Sequence, residues 1–272
     1  MVTDELKRYT QGFYDETLLT SMRSARVIVP LVLGLTGAKS VADVGCGTGS
    51  WLSIFKECGI SDLLGIDNAS IEYSQLQVDS SILRRHDLTE PLILERKYDL
   101  ATCLEVAEHL PASCAKQIVA NLTSIAPMVL FSAAIPHQGG TNHINEQWPE
   151  YWAAMFRSHG YRAVDCVRDE IWQDENVAYW YAQNLILYVR EDLLRFHPNL
   201  QEIAKHTNQN RLTMVHPKTY VKNFYANTNP KILLMRSLWN AIPRSIRICL
   251  VKPLQGLIWK QVSTEYKNPR KR

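Results

Sequence analysis

The sequence predicts an α/β protein built on a doubly wound, mostly parallel sheet with an antiparallel last strand and a helical C-terminal appendage. Three observations carry this. The apolar run 40–44 breaks into the turn Gly45-Cys46-Gly47-Thr48-Gly49 and then opens a helix. Further short apolar runs alternate with helix-length segments, the pattern of strand–helix–strand crossovers. The chain has 272 residues, enough to bury a full core in one large domain or in one domain with an appendage.

Residues 1–19 read as a polar helical lead-in carrying Phe13, Tyr14 and Asp15. Residues 20–35 read as a helix beside the first strand, and their apolar run 27–35 contains Pro30 and is too short to span a bilayer. The glycine turn has the spacing G-x-G-x-G, with Asp43 two residues before it. A dinucleotide fingerprint would be G-x-G-x-x-G, and Ser50 or Leu52 falls where its last glycine would stand. A second strand, 63–67, ends in Asp67. A third, 82–85, runs into His86-Asp87-Leu88. A fourth, 98–104, is followed by Glu105-Val106-Ala107-Glu108-His109, and a fifth covers 128–134. The loop 135–149 holds His137, Gly139, Gly140, His143 and Glu146, a flexible-looking element with titratable groups. A helix should begin near Trp148-Pro149, since proline suits a first turn. Strands at 162–167 and 184–190 complete a final hairpin. Trp172, Trp180 and Tyr181 fall between them, either roofing a pocket or packing under a long loop.

The segment 41–49 resembles motif I of the class I S-adenosylmethionine-dependent methyltransferases, and the order of the later segments extends that resemblance over residues 25–190. It implies a Rossmann-like fold of seven strands and S-adenosylmethionine as cofactor. On that likeness Asp43, Gly45, Cys46, Gly47 and Gly49 form the cofactor loop. Asp67 takes the ribose hydroxyls, Asp87 with Leu88 the adenine side, and Glu105 lies beside them. Taken alone, Asp67 could be a helix cap and Asp87 a turn acid.

Methyl transfer is an in-line displacement on an already activated sulfonium, so the protein mainly aligns the nucleophile and excludes water. A hydroxyl acceptor also needs a base. His143, with His137 as reserve and Glu146 beside them, is the candidate; the alternative is that His143 ties the loop down. Glu105, Glu108 and His109 form an E-x-x-E-H cluster that, with His143, resembles the divalent-metal site of ubiquinone-pathway O-methyltransferases and small-RNA 2′-O-methyltransferases. That likeness implies a cation such as magnesium; helical spacing also places these residues on one face for ordinary hydrogen bonding.

From residue 231 onward ten Lys and Arg face one acid, Glu265, while the whole chain is only +3. The expected division is a methyltransferase-like domain over 1–195 and a basic helical extension over 196–272. Basic residues interleaved with Trp and Leu suit an anionic membrane surface, a partner protein or an appendage packed on the core. The acidic remainder of the chain argues against nucleic acid. Six scattered cysteines without a C-x-x-C pair fit a reducing cytoplasm, with peripheral membrane attachment through the tail. The function expected is O-methylation of a small-molecule, sugar or glycan hydroxyl. The alternatives are an RNA methyltransferase (2′-O or base) and a non-catalytic cofactor-binding protein held by its tail. A short-chain dehydrogenase is excluded because no Tyr-x-x-x-Lys pair occurs.

Overall fold

The computed structural model describes residues 11–68 and 73–228. Helix α1 (Gln11–Thr36) leads into strand β1 (Ser40–Val44), helix α2 (Ser50–Glu57), β2 (Asp62–Asp67), β3 (Leu83–Arg85) and β4 (Leu100–Leu104). Then follow α3 (Ala115–Ile125), β5 (Met128–Ser132), α4 (Pro149–Ser158), β6 (Tyr161–Val164), α5 (Arg168–Ile171), α6 (Tyr179–Asn184) and β7 (Ile186–Arg190). Short helices α7 (Glu191–Leu194) and α8 (Pro198–His206) close this part, and α9 (Pro217–Thr228) follows.

The strands form one sheet in the order β3-β2-β1-β4-β5-β7-β6. β7 runs antiparallel to both its neighbours, and every other pairing is parallel. All residues of β1, β4 and β5 are buried, as expected of central strands with both faces covered. One apolar cluster lies under α1, α2 and the α6 region, and includes Ile28, Leu52, Phe55 and Tyr181. The other lies under α3 and α4, and includes Ile118, Leu122, Trp152 and Phe156.

The seven-stranded sheet with its antiparallel β7 is the expected fold. The local differences have physical causes. The described lead-in and the following helix are one continuous α1, which runs through Pro30 with that residue facing solvent. Its Ala25, Ile28, Val29 and Val32 recur at helical spacing and are buried against the core. Residues Leu18–Thr36 of α1 are long and apolar enough to cross a membrane by length and composition, contrary to the expectation from 27–35 alone; the packed stripe gives that apolarity a role in the core. The loop expected between the last two strands contains α5 and α6. Tyr181 stacks edge-on against Trp51 with ring centroids 5.2 Å apart, and Trp172 lies 4.7 Å from the His216 ring. Tyr181 is buried, and Trp172 and Trp180 are half-buried against the core.

The chain separates into two compact units at His216 and Pro217. The first therefore runs past the boundary expected at 195, because Leu200 and Ala204 of α8 are buried in its core. In the second, α9 is the described element. The basic stretch from Lys231 onward, with the membrane role expected of it, lies outside the described residues.

Candidate functional site

The sheet winds one way from β1 through β2 to β3 and the other way from β4 to β5. The crevice at the carboxyl ends of β1 and β4 is therefore the switch point at which such sheets bind ligands. Three segments meet there: the glycine turn after β1, residues 105–109 after β4, and the loop 135–149 after β5.

The glycine turn is held from β2. Gly45 and Cys46 donate their backbone N–H groups to Ile66 O at 2.7 and 3.2 Å, and Gly47 N donates to Asp67 Oδ2 at 2.8 Å. The turn glycines differ in what surrounds them. A Cβ on Gly45 would stand 2.4 Å from Val106 Cγ2, so that glycine lets the β4 segment close in. Gly47, at φ +52°, has no heavy atom within 4 Å of such a Cβ. That side of the turn, without a Cβ, allows a ligand to approach the backbone closely.

Behind the turn, Asp43 is buried and accepts a 2.6 Å hydrogen bond from Thr102 Oγ1. Burial pushes its carboxyl up to about 7 against the pull of that bond, and the nearby Asp67 adds to the rise. Cys46 is buried and its thiol is pushed far above its usual range by burial and by Asp43, so it contributes packing rather than chemistry. Leu88 is buried. Asp87 is exposed and accepts from Thr89 N and Thr89 Oγ1 at 2.9 and 2.7 Å, which holds it below the usual carboxylate range. Its own turn thus occupies one carboxylate oxygen.

After β4 the chain turns sharply. Glu105 has φ +55°, an uncommon left-handed conformation for a residue with a side chain. Burial pushes its carboxyl upward, and bonds from Asn184, Ser132 and Gln138 pull it back. Glu108 is completely buried, and among the described residues neither of its carboxylate oxygens has a hydrogen-bond partner. Burial, followed by the adjacent Glu105 charge, pushes its carboxyl well above the ordinary range. His109 Nδ1 is likewise buried without a partner, and burial with the neighbouring His143 lowers its pKa to about 4. At neutral pH this imidazole is uncharged and able to act as a ligand.

The loop 135–149 is firmly tied. Ile144 N and Asn145 N donate to Glu108 O at 2.9 and 3.1 Å, and Gln147 N donates to Ala134 O at 3.1 Å. These bonds lay His143 over the β4 turn, with its ring 4.9 Å from that of His109 and nearly perpendicular to it. His143 Nδ1 pairs with Glu146 Oε1 at 2.9 Å. Glu146 also accepts from the backbones of His137 and Gly139, both at 2.8 Å. Glu146 thus orients both the loop and the imidazole, whose Nε2 edge lies against Gly140, where an added Cβ would stand 2.1 Å from it. The reserve candidate, His137, is in a left-handed conformation with its side chain exposed.

Ligand atoms of Glu108, His109 and His143 lie within 4.8 Å of one another. Two of these residues carry orphaned buried polar atoms, so the donor set of one carboxylate and two imidazoles fits a divalent cation. Glu105, read with them from sequence, stands outside this triad. Its Oε2 accepts from Gln138 Nε2 at 3.0 Å and its Oε1 from Asn184 Nδ2 at 3.1 Å.

Gln138, Gln183 and Asn184, all buried at the site, are not among the residues predicted from sequence. A signal existed for two of them: the polar pair 183–184 interrupts an apolar run between Tyr181 and Val189.

A family model described as a methyltransferase domain matches residues 22–164. The chloroplastic magnesium protoporphyrin IX methyltransferase of Arabidopsis thaliana is 30% identical over 134 residues, covering 46% of this chain and 41% of that protein. The ubiquinone biosynthesis O-methyltransferase of Neisseria meningitidis serogroup C is 33% identical over 105 residues, covering 35% of this chain and 43% of that protein. The chain thus spans less than half the length of these curated relatives. Among solved structures, the sugar N-methyltransferase KedS8 from a Streptoalloteichus species superposes with a TM-score of 0.54 at 15% identity, over 70% of this chain and 96% of that one, a likeness of fold.

Proposed function

The chain belongs to the class I S-adenosylmethionine-dependent methyltransferases, and we propose that it methylates a hydroxyl group of a small molecule or sugar, with His143 as the base. The observation that carries this reading is the His143–Glu146 pair. A carboxylate on Nδ1 fixes the tautomer and supports the imidazolium that forms when Nε2 takes a proton.

The chain's parts divide the task. The glycine turn and Asp67 bind the cofactor, with Gly47 on the open side of the cradle. The buried flank of Asp43, Leu88 and Ala107 keeps water from behind the site. His143 holds the acceptor proton at Nε2 while Glu146 keeps the ring in place. The cofactor supplies the activated methyl group.

A second reading is favoured by the orphaned oxygens of Glu108 and the orphaned Nδ1 of His109. Glu108, His109 and His143 would then hold a divalent cation, which would polarise the acceptor hydroxyl. The relatives named as protoporphyrin, ubiquinone-pathway and sugar methyltransferases are compatible with small-molecule acceptors. The RNA alternative rests on the E-x-x-E-H segment from Glu105 to His109 and on the basic stretch from Lys231 onward, which lies outside the described residues.

The test is transfer of labelled methyl groups from S-adenosylmethionine into a fractionated lysate of the source cells, with Asp67→Ala as control. Label in a small-molecule or glycan fraction, absent in the variant, supports the reading. Label in RNA, or no transfer despite cofactor binding, overturns it.

A further inference from the structure

Three buried amides surround Glu105, and their donors and acceptors run in one direction. Gln183 accepts from His216 N at its Oε1, at 3.0 Å. Its Nε2 donates to Gln138 Oε1 and to Asn184 Oδ1, at 2.9 and 3.0 Å. Asn184 Nδ2 donates to Gln138 Oε1 at 2.9 Å and to Glu105 Oε1 at 3.1 Å. Gln138 Nε2 donates to Glu105 Oε2 at 3.0 Å. Each amide orientation is determined by the next, because turning any one of them would set donor against donor or oxygen against oxygen. Both Glu105 oxygens accept hydrogen bonds from amide N–H groups, and the amides offer neither of them an acceptor. The array therefore favours a carboxylate anion, against the cost of burial, at a position where the backbone is already strained.

We propose that Gln138 and Asn184 are positioning residues that hold Glu105 as a fixed anion at the crevice, where it favours the cationic sulfonium of S-adenosylmethionine over the neutral thioether of the product. This rests on the cofactor reading given above. Val106, the residue after Glu105, packs against Gly45 of the glycine turn, so Glu105 leaves β4 one residue before that contact, at the carboxyl end of the strand. Ser132 fixes it from below, its O and Oγ accepting from Glu105 N at 3.0 and 3.1 Å. The cofactor and its product differ by one charge at one atom, so a fixed anion acts on the difference between their affinities. A carboxylate free to rotate or to share a proton would act on it less.

The test measures dissociation constants of S-adenosylmethionine and S-adenosylhomocysteine by calorimetry, for the full chain and for Gln138→Met. This substitution keeps the side-chain length and removes both polar ends. The expected result is a loss of S-adenosylmethionine affinity about tenfold greater than that of S-adenosylhomocysteine, the scale of a hydrogen bond to a charged group. Glu105→Gln should show the same differential loss, and adding Gln138→Met to it should add no more. If Gln138→Met does not fold, Asn184→Ser removes the other donor and reads the same ratio. Equal weakening of both ligands in the folded variants would make the array structural and overturn the proposal. Failure of the unsubstituted chain to bind either ligand would instead overturn the cofactor reading beneath it.

Discussion

Gly47 N lies 2.8 Å from Asp67 Oδ2, so the carboxylate ending β2 is bonded to the middle of the glycine turn after β1. The same carboxylate stands at the carboxyl end of its strand, where a ribose hydroxyl pair needs an acceptor. Asp67→Ala should bind S-adenosylhomocysteine about ten- to a hundredfold more weakly, the loss expected for hydrogen bonds to a charged acceptor. Calorimetric titration measures it, with an unchanged thermal transition showing that the fold survives. Unchanged affinity would remove Asp67 from the cofactor site.

The turn glycines should respond differently to substitution. At Gly45 an added Cβ meets Val106 Cγ2 at 2.4 Å, whereas at Gly47 it meets nothing. Gly45→Ala should destabilise the fold by more than the roughly 1–2 kcal/mol of a left-handed alanine, and Val106→Ala in the same chain should restore part of the loss. Gly47→Ala should lose about that backbone penalty and should weaken cofactor binding as the methyl enters the cradle. Denaturant titrations of these variants, with binding measured on those that fold, separate the two effects.

Asp43 gives stability a defined pH dependence. Its carboxyl is raised from 3.8 to about 7 by burial, so between those values the folded state holds a proton that the unfolded chain releases. Its contribution to stability is full below about pH 4 and is lost as the pH rises toward 7. Asp43→Asn keeps an oxygen for the Thr102 hydroxyl and cannot ionise. The difference in unfolding free energy between parent and variant should therefore change across this window in the variant's favour. The change should be a few kcal/mol, since each tenfold change in an acid dissociation constant is worth roughly 1.4 kcal/mol. Parallel denaturant titrations from pH 4 to 8 would read it, and a constant difference would mean that Asp43 is not buried as a neutral acid.

The strands and the glycine turn after β1 were legible because they are local: an apolar run, a glycine turn and an acid at a strand end are read within a few residues of chain. The convergence of Glu108, His109 and His143 was partly legible because the E-x-x-E-H segment is contiguous and His143 lies in the next crevice loop. The separation of Glu105 from them was not. It depends on Gln138 and Asn184, 33 and 79 residues away in sequence, and on a left-handed backbone at a non-glycine residue. Helical spacing placed Glu105 with Glu108 and His109, but residues 107–109 form a single tight turn rather than an α-helix, so the expected shared face does not exist. Helix α6 was hidden in the same way, since the aromatics that read as a loop are held by α1 through Ala178 N and Ser24 Oγ at 3.0 Å.

The His143–Glu146 pair and the neighbouring orphaned atoms separate two chemistries that share residues. If His143 is a base, His143→Ala should lower turnover by about 10²–10⁴-fold while leaving S-adenosylhomocysteine affinity unchanged. Glu146→Gln should fall between parent and alanine variant, since one amide oxygen cannot serve the imidazole and two backbone N–H groups together. In that case exhaustive chelation leaves turnover intact. If Glu108, His109 and His143 instead hold a cation, chelation should abolish turnover and magnesium restore it. Glu108→Gln should then remove magnesium binding in a direct calorimetric titration, with the fold intact, because the buried carboxylate has no other partner to lose. Full turnover in His143→Ala would exclude both chemistries, since each gives the imidazole a place beside the acceptor oxygen.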